Sequence, residues 1–250
     1  MTGRMIGIEI LRILTHVWDR CVAKPLVRIW PKRAGMRILC FGDSNTWGSK
    51  PGTGLRYPYR QRWPGVLQME LGTNFVVREE GRNGRTTVLE DPDQRGCNGK
   101  PALKRCLRQH HPLDLVIILL GTNDLKTIFN RTAEQITQSV EELGRIVLTD
   151  GRSSAGASPI LLLMAPPVVI KDKTGTDRYY GADIKSSSFA EQYRSVAERL
   201  GCEFFDTGTL IHSSMVDGIH WDQDAHQSLG KALAQRVPNL LGSKQVVNSK

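Results

Sequence analysis

Short apolar runs alternate with amphipathic segments along the chain from Met36 onward. Runs with the length of β-strands lie at 36–41, 75–77, 113–120, 160–165 and 203–205. The run at 113–120 is apolar apart from Asp114, which is typical of a strand buried on both faces. Helical periodicity fills the intervals at about 62–71, 100–110, 132–149, 187–200 and 223–237. This alternation predicts an α/β domain with a five-stranded parallel sheet.

Two segments between these runs carry further signals. Thr132 and Gln135 open the third helical segment in the spacing of a capping box, where each side chain satisfies a backbone donor at the helix start. The connection over 166–186 is long and rich in Tyr, Lys and Asp, so we expect it to form the rim or lid of a pocket.

The segment before Met36 follows a different pattern. Residues 4–30 repeat apolar side chains at three- and four-residue steps, which predicts an amphipathic helix. Charges interrupt the apolar stretch and no small-residue cleavage site follows, so a secretory signal is not predicted. Three interpretations stay open: a helix at a membrane surface, a helix that docks on the body or on a partner subunit, and an upstream extension that is not normally made.

Charge separates this segment from the rest of the chain. The net charge is +9, and residues 1–35 contribute seven Lys or Arg and two acids, or 7 − 2 = +5. We therefore divide the chain into a basic extension at 1–35, an α/β domain at 36–241 and a flexible tail at 242–250. The domain has no basic run with interleaved aromatic residues, so nucleic acid is not an expected partner.

Other composition signals narrow the class of protein. No run of eighteen apolar residues occurs, so no membrane-spanning helix is predicted. The five cysteines form no Cys-x-x-Cys pair and no zinc-ligand spacing with histidine. We therefore expect reduced thiols, a cytoplasmic protein and no bound metal.

Polar blocks that contain glycine follow four of the predicted strands. They lie at 42–48 (Gly-Asp-Ser-Asn-Thr-Trp-Gly), 81–87 (Gly-Arg-Asn-Gly-Arg-Thr-Thr), 121–124 (Gly-Thr-Asn-Asp) and, after a short connection, 217–220 (Asp-Gly-Ile-His). Ligands of open parallel sheets bind beyond the carboxyl ends of the strands. The four blocks are therefore expected to surround one site.

These blocks supply the groups that acyl transfer needs. Ser44 is the candidate nucleophile, and His220 can take its proton and return it to the leaving group. Asp217 can hold the imidazole in the productive tautomer. The backbone N–H groups of Ser44 and Gly84 and the side-chain amide of Asn123 are candidate donors to the oxyanion. This chemistry requires no metal and no cofactor.

Each block alone has a plain structural explanation, because Asp, Ser and Asn often cap helices and turns. The joint pattern of four blocks after successive strands favours catalysis. Asp43 and Asp124 are interpreted as structural residues, the second as a helix cap. Four aromatic residues are expected either to line the pocket or to serve as packing anchors, with equal weight: Trp47, Tyr57, Trp63 and Trp221.

With these residues the chain resembles the SGNH (GDSL-type) hydrolase superfamily, which is defined by Ser, Gly, Asn and Asp-x-x-His blocks in this order. It looks most like the arylesterase/acyltransferase branch, and the resemblance covers about 36–241. The features of that branch are the Trp after the Ser block and the segments 79–87, 111–124 and 165–167. Asn45 stands where the motif that names the family has Leu.

The resemblance implies a three-layer, flavodoxin-like fold and a serine esterase that cleaves short-chain aryl or alkyl esters. It implies catalytic roles for Ser44, Asp217 and His220, and oxyanion-hole roles for Ser44, Gly84 and Asn123. Members of the branch transfer acyl groups to alcohols and form oligomers, so both properties are expectations here. The alternatives are a carbohydrate O-acetyl esterase, a lysophospholipase, a thioesterase and a non-catalytic binding module of the same fold.

Overall fold

The computed structural model describes residues 35–247, with side chains through Gly242. The predicted N-terminal helix lies outside the described residues, as do residues 248–250. None of the helices in the described range has the length and apolar character needed to cross a bilayer.

A single sheet of five strands forms the centre of the described region. The strands are β1 (Met36–Gly42), β2 (Phe75–Gly81), β3 (Leu115–Leu119), β4 (Ile160–Ala165) and β5 (Glu203–Asp206). All pairs are parallel, and the order across the sheet is β2-β1-β3-β4-β5. The predicted five-stranded parallel sheet is confirmed. Its long apolar runs arise because the central strands are buried on both faces.

Helices cover both faces of this sheet. They are α1 (Ser44–Trp47), α2 (Trp63–Leu71), α3 (Gly99–His110), α4 (Ala133–Asp150), α5 (Ala182–Ser187), α6 (Phe189–Leu200) and α7 (Gln223–Val247). Alternate strand residues point to opposite faces, so two apolar layers form. One layer packs against α3, α4 and α6, and the other against α2 and α7. The fold is therefore the expected three-layer α/β arrangement.

The helix boundaries agree with the sequence signals except at two places. The capping box at Thr132 and Gln135 is present at the start of α4. The connection over 166–186 contains the short helix α5, which the periodicity did not predict. The last helix continues past Pro238 into the segment assigned to a tail. Proline leaves the backbone carbonyl of Ala234 without a donor, and because Ala234 is only partly buried, water can reach it.

Helix α7 packs closely against α2 because a glycine lies at their contact. A Cβ atom at Gly230 would lie 2.6 Å from Val66 Cβ and 2.9 Å from the backbone oxygen of Trp63. Real Cβ atoms rarely approach other atoms so closely, so a side chain here would push the two helices apart. Gly242 lies on the same helix, and none of the described residues places an atom within 4 Å of its Cβ position.

We predict that Gly230→Ala lowers the free energy of unfolding by about 1–3 kcal/mol, because overpacking outweighs the higher helix propensity of alanine. Gly242→Ala is the matched control, and it should raise the same quantity by at most about 1 kcal/mol. Urea denaturation of the two variants and the parent measures both effects. A Gly230→Ala protein as stable as the parent would contradict this account of the α2–α7 contact.

Candidate active site

The strand order decides which sequence blocks become neighbours. Strand β1 lies between β2 and β3, so the blocks at 42–48, 81–87 and 121–124 meet at one carboxyl edge of the sheet. Strand β5 lies at the far side, separated from β1 by β3 and β4. The block at 217–220 therefore has to return across this edge to reach the other three.

Ser44 is held at the start of α1, directly after β1. The side chain of Asp43 caps this short helix by accepting a hydrogen bond of 2.9 Å from the backbone N–H of Asn45. Burial raises the pKa of Asp43 to about 6, although the hydrogen bond from Asn45 opposes the shift. Asp43 thus fixes the turn that presents Ser44, as expected for a structural residue.

A chain of two hydrogen bonds joins Ser44 to the last block. Ser44 Oγ lies 3.1 Å from His220 Nε2, although 176 residues separate the two positions in the sequence. His220 Nδ1 lies 2.8 Å from Asp217 Oδ2. In the tautomer that donates from Nδ1 to Asp217, Nε2 is free to accept the proton of Ser44. The structure thus brings together the three side chains that the sequence predicts.

Backbone amides fix the carboxylate of Asp217. Oδ1 accepts hydrogen bonds from the N–H groups of Ile219 and His220, and Oδ2 accepts one of 2.9 Å from Gly52. Burial alone would raise the pKa of Asp217, but the hydrogen bonds from His220 and Ile219 hold the pKa below its ordinary value. Asp217 therefore stays ionised and can stabilise an imidazolium at His220.

Three further contacts secure the returning segment. Asn45 Nδ2 donates a hydrogen bond of 3.1 Å to the backbone oxygen of Ile219, next to His220. The backbone N–H of Ile170 donates to the oxygen of Gly218. Trp221 is completely buried in the apolar layer under α7. The Asn that replaces the family's Leu thus links the serine block to the histidine block.

The loop after β2 is tied to the end of β1 beside Ser44. The backbone oxygen of Gly42 accepts hydrogen bonds from the N–H of Arg82 and from the buried guanidinium of Arg85. Between them, Gly84 has a φ of +75°, a conformation that favours glycine. Among the described residues, neither the amide of Ser44 nor that of Gly84 has an intramolecular acceptor. Both donors can therefore serve a ligand.

Asn123 opens the 3₁₀ turn after β3 and reaches the same loop. Its Nδ2 donates a hydrogen bond of 3.1 Å to the backbone oxygen of Arg85, the residue after Gly84. The neighbouring Asp124 was expected to cap a helix, but it accepts hydrogen bonds from the N–H and the hydroxyl of Thr87. Burial raises the pKa of Asp124 to about 6, against the effect of these bonds. Asp124 thus joins the blocks after β2 and β3.

The four aromatic candidates divide into core and surface residues. Trp63 and Trp221 have no exposed surface, so a substrate cannot contact them and packing explains both. Tyr57 is 9% exposed and packs edge-on against the buried ring of His226. The ring of Trp47 is half-buried, and the guanidinium of Arg56 lies 4.8 Å from its centre. Of the four candidates, Trp47 alone is more than marginally exposed, and it lies within the serine block.

Three residues near the site escaped the sequence analysis: Gly52, Asn45 as a link to Ile219, and Tyr179. The Tyr179 hydroxyl donates a hydrogen bond of 3.3 Å to Asn123 Oδ1. Only the position of Asn45 gave a signal, because it departs from the family motif. The other two act from loops whose paths the hydrophobic pattern does not define.

Comparison with known proteins agrees with this geometry. The model of the GDSL-like lipase/acylhydrolase family matches residues 40–238, which include all four blocks. A carbohydrate acetylesterase from Sinorhizobium meliloti is 38% identical, with a TM-score of 0.78 over 82% of this chain and 99% of that chain. The native aryl esterase of M. smegmatis is also 38% identical, with a TM-score of 0.76 over 82% of this chain and 100% of its own.

A more distant relative is an acetylxylan esterase of Xylanibacter ruminicola, which is 25% identical over 229 residues. The alignment takes in 83% of this chain but 44% of that protein, so the chain spans less than half the length of this curated relative. The family match over 40–238 does not depend on it. The chain therefore belongs to the GDSL-like lipase/acylhydrolase family, the SGNH hydrolases that its four sequence blocks predict.

Proposed function

We propose that the protein is a serine esterase that cleaves short-chain carboxylic esters through an acyl-Ser44 intermediate. One observation carries the proposal: Ser44 Oγ, His220 and Asp217 form a continuous hydrogen-bonded chain with distances of 3.1 and 2.8 Å. A serine hydroxyl is a weak nucleophile at neutral pH and needs a base within this reach. An aligned base with its own carboxylate partner is the arrangement that acyl transfer requires.

In the acylation step, Ser44 Oγ attacks the carbonyl carbon of the ester while His220 Nε2 takes the hydroxyl proton. The imidazolium that forms is stabilised by the ionised Asp217. Collapse of the tetrahedral intermediate breaks the bond to the alkoxy group, which leaves with the proton from His220. The products of this step are the free alcohol and the acyl-Ser44 ester.

The negative charge of the tetrahedral intermediate requires donors on the opposite side of Ser44 from His220. We assign this role to the amides of Ser44 and Gly84 and to the side chain of Asn123. Both backbone amides lack an intramolecular acceptor among the described residues. Asn123 donates one Nδ2 proton to the backbone oxygen of Arg85 and has a second Nδ2 proton for a ligand. Loss of one such donor typically slows an enzyme by about 100- to 1,000-fold.

In the second step, His220 takes a proton from water, and the hydroxide attacks the acyl carbon. Ser44 regains its proton as the carboxylic acid leaves. An alcohol can replace the water in this step, and the product is then a new ester. The ratio of ester to acid, measured in water with added alcohol, determines how far the protein acts as an acyltransferase.

The similar proteins bear on the substrate. Their names identify a carbohydrate acetylesterase, an acetylxylan esterase and an aryl esterase. Two of the three names specify the acetyl group and a carbohydrate alcohol, so the second candidate is a carbohydrate O-acetyl esterase. Both candidates use the same site and differ only in the alcohol that leaves.

We also propose that the protein works in a reducing compartment such as the cytoplasm. Its four described cysteines, Cys40, Cys97, Cys106 and Cys202, carry free thiols, which fits such a compartment. Membrane contact through residues 1–35 and assembly of several copies stay predictions.

We predict that Ser44→Ala lowers kcat for p-nitrophenyl acetate by about 10⁶-fold, because the nucleophile and base act as one unit. Circular dichroism should show an unchanged fold, since His220 is the only hydrogen-bond partner of the hydroxyl among the described residues. Ser139→Ala is the matched control, because within the described part of the chain this buried serine donates a hydrogen bond only to its own helix, at the backbone oxygen of Gln135. Equal activity of the parent and the Ser44→Ala protein would refute the proposed nucleophile.

A substrate panel separates the candidates. Two of the three similar proteins are named for the acetyl group, so we expect a short acyl chain in the substrate of this protein as well. We expect kcat/KM to fall by at least about tenfold from p-nitrophenyl acetate to p-nitrophenyl octanoate. A loss of about 1.4 kcal/mol of transition-state binding, when the acyl chain does not fit its pocket, has this effect. Comparable rates would contradict the short-chain assignment.

The same panel includes acetylated xylo-oligosaccharides, with acetate release as the readout and the Ser44→Ala protein as the blank. A higher kcat/KM on the oligosaccharide than on the aryl acetate favours the carbohydrate esterase. The reverse order favours the aryl esterase.

A further inference from the structure

We propose that Tyr179 is a positioning residue that orients the amide of Asn123 so that its N–H faces the substrate oxyanion. The inference rests on the proposed function, in which Asn123 is a donor to that oxyanion. Tyr179 lies in the connection between β4 and α5, outside all four sequence blocks. It would thus extend the oxyanion site to a segment that the family motifs do not include.

Two hydrogen bonds define the orientation of the Asn123 side chain. The buried hydroxyl of Tyr179 donates to Oδ1 at 3.3 Å, and Nδ2 donates to the backbone oxygen of Arg85 at 3.1 Å. If the amide were flipped, Oδ1 would face the oxygen of Arg85 and the two acceptors would repel each other. The remaining Nδ2 proton of Asn123 is therefore held in one direction, and it is the proton that the proposed function assigns to the oxyanion.

The chemistry of a buried phenol favours donation to Oδ1. Tyr179 is 6% exposed, so its hydroxyl requires a partner inside the protein. Burial raises the pKa of Tyr179 well above its ordinary value, and the nearby carboxylate of Asp43 adds to the shift. The hydroxyl therefore keeps its proton at any working pH. A hydrogen bond accepted at Oδ1 also polarises the amide and strengthens donation from Nδ2.

Two ion pairs join the loop after β2 to neighbouring elements, an exposed pair to the segment around Tyr179 and a buried pair to the turn after β3. Arg178 contacts Asp93 at 2.7 Å, and Lys126 contacts Asp91 at 2.7 Å with both of these side chains buried. Lys126 follows Asn123 by three residues, so the second pair links the turn after β3 to the same loop. Tyr179, Asn123 and the Gly84 loop thus form one connected unit.

The structure offers a matched control for Tyr179. Tyr193 is also buried, and its hydroxyl donates a hydrogen bond of 2.6 Å to the backbone oxygen of Leu120, three residues before Asn123. Tyr193 makes no hydrogen bond to Asn123. The Tyr193→Phe variant therefore removes a buried tyrosine hydroxyl from the same region and leaves the contact between Tyr179 and the Asn123 amide in place.

The experiment compares four variants with the parent: Tyr179→Phe, Tyr193→Phe, Asn123→Ala and the double variant Asn123→Ala/Tyr179→Phe. The readouts are kcat and KM for p-nitrophenyl acetate, with Tm as the measure of stability. Titration of Ser44 with a phosphonate ester gives the concentration of folded sites, so kcat is expressed per active site. Unfolded protein then does not affect the comparison.

We expect Tyr179→Phe to lower kcat about tenfold with little change in KM, because the lost contact acts in the transition state. Tyr193→Phe should lower Tm and leave kcat unchanged. Asn123→Ala should lower kcat about 100-fold or more, and the double variant should be no slower than Asn123→Ala. This lack of additivity is the signature of one residue that acts through another.

Two outcomes overturn the proposal and leave the proposed function intact. In the first, Asn123→Ala is strongly impaired but Tyr179→Phe keeps kcat within about twofold of the parent. In the second, the losses in the two single variants multiply in the double variant, so Tyr179 acts independently of Asn123. If Asn123→Ala itself keeps its kcat, the oxyanion role of Asn123 in the proposed function fails, and the role of Tyr179 fails with it.

Discussion

The hydrogen bond of 3.1 Å between Ser44 and His220 is the constraint on which the rest of the site depends. Its two partners come from distant parts of the sheet, since Ser44 follows β1 and His220 follows β5, with β3 and β4 between these strands. The first three blocks meet simply because their strands are neighbours. The last block reaches them only because the segment after β5 turns back across the carboxyl edge. The geometry of the proposed catalytic groups therefore depends on how loops pack at the edge of a rigid sheet.

Short polar contacts from two loops and from helix α1 hold that returning segment. Gly52 binds the carboxylate of Asp217, Asn45 binds the oxygen of Ile219, and Ile170 binds the oxygen of Gly218. The fully buried ring of Trp221 holds the segment against the apolar layer under α7. The connection between β4 and α5 takes part on both sides of the site, since it includes Ile170 beside Asp217 and Tyr179 beside Asn123. One shared segment thus contacts both the block that contains the proposed base, His220, and the proposed oxyanion donor, Asn123.

Much of this architecture is predictable from the sequence, for physical reasons. Buried parallel strands are apolar runs, and the rule that ligands bind beyond their carboxyl ends singled out Ser44, Gly84 and Asn123. The spacing of Asp217 and His220 within one turn placed them together. Contacts such as Tyr179 with Asn123, or Gly52 with Asp217, depend on loop paths that no periodicity encodes. Trp63 and Trp221 show the same limit of sequence-based prediction. An aromatic residue near a motif looks the same in the sequence whether it lines a pocket or packs in the core.

The measurement that tests the account most directly is the site of covalent capture. The folded protein is treated with a p-nitrophenyl alkylphosphonate, and the adduct is located by peptide mass spectrometry. The account predicts one adduct per chain, on Ser44, and slow or absent labelling in a His220→Ala variant, because the hydroxyl is then without its base. An adduct on another residue, or a folded protein that does not react, would contradict the assignment of Ser44 and His220 as nucleophile and base.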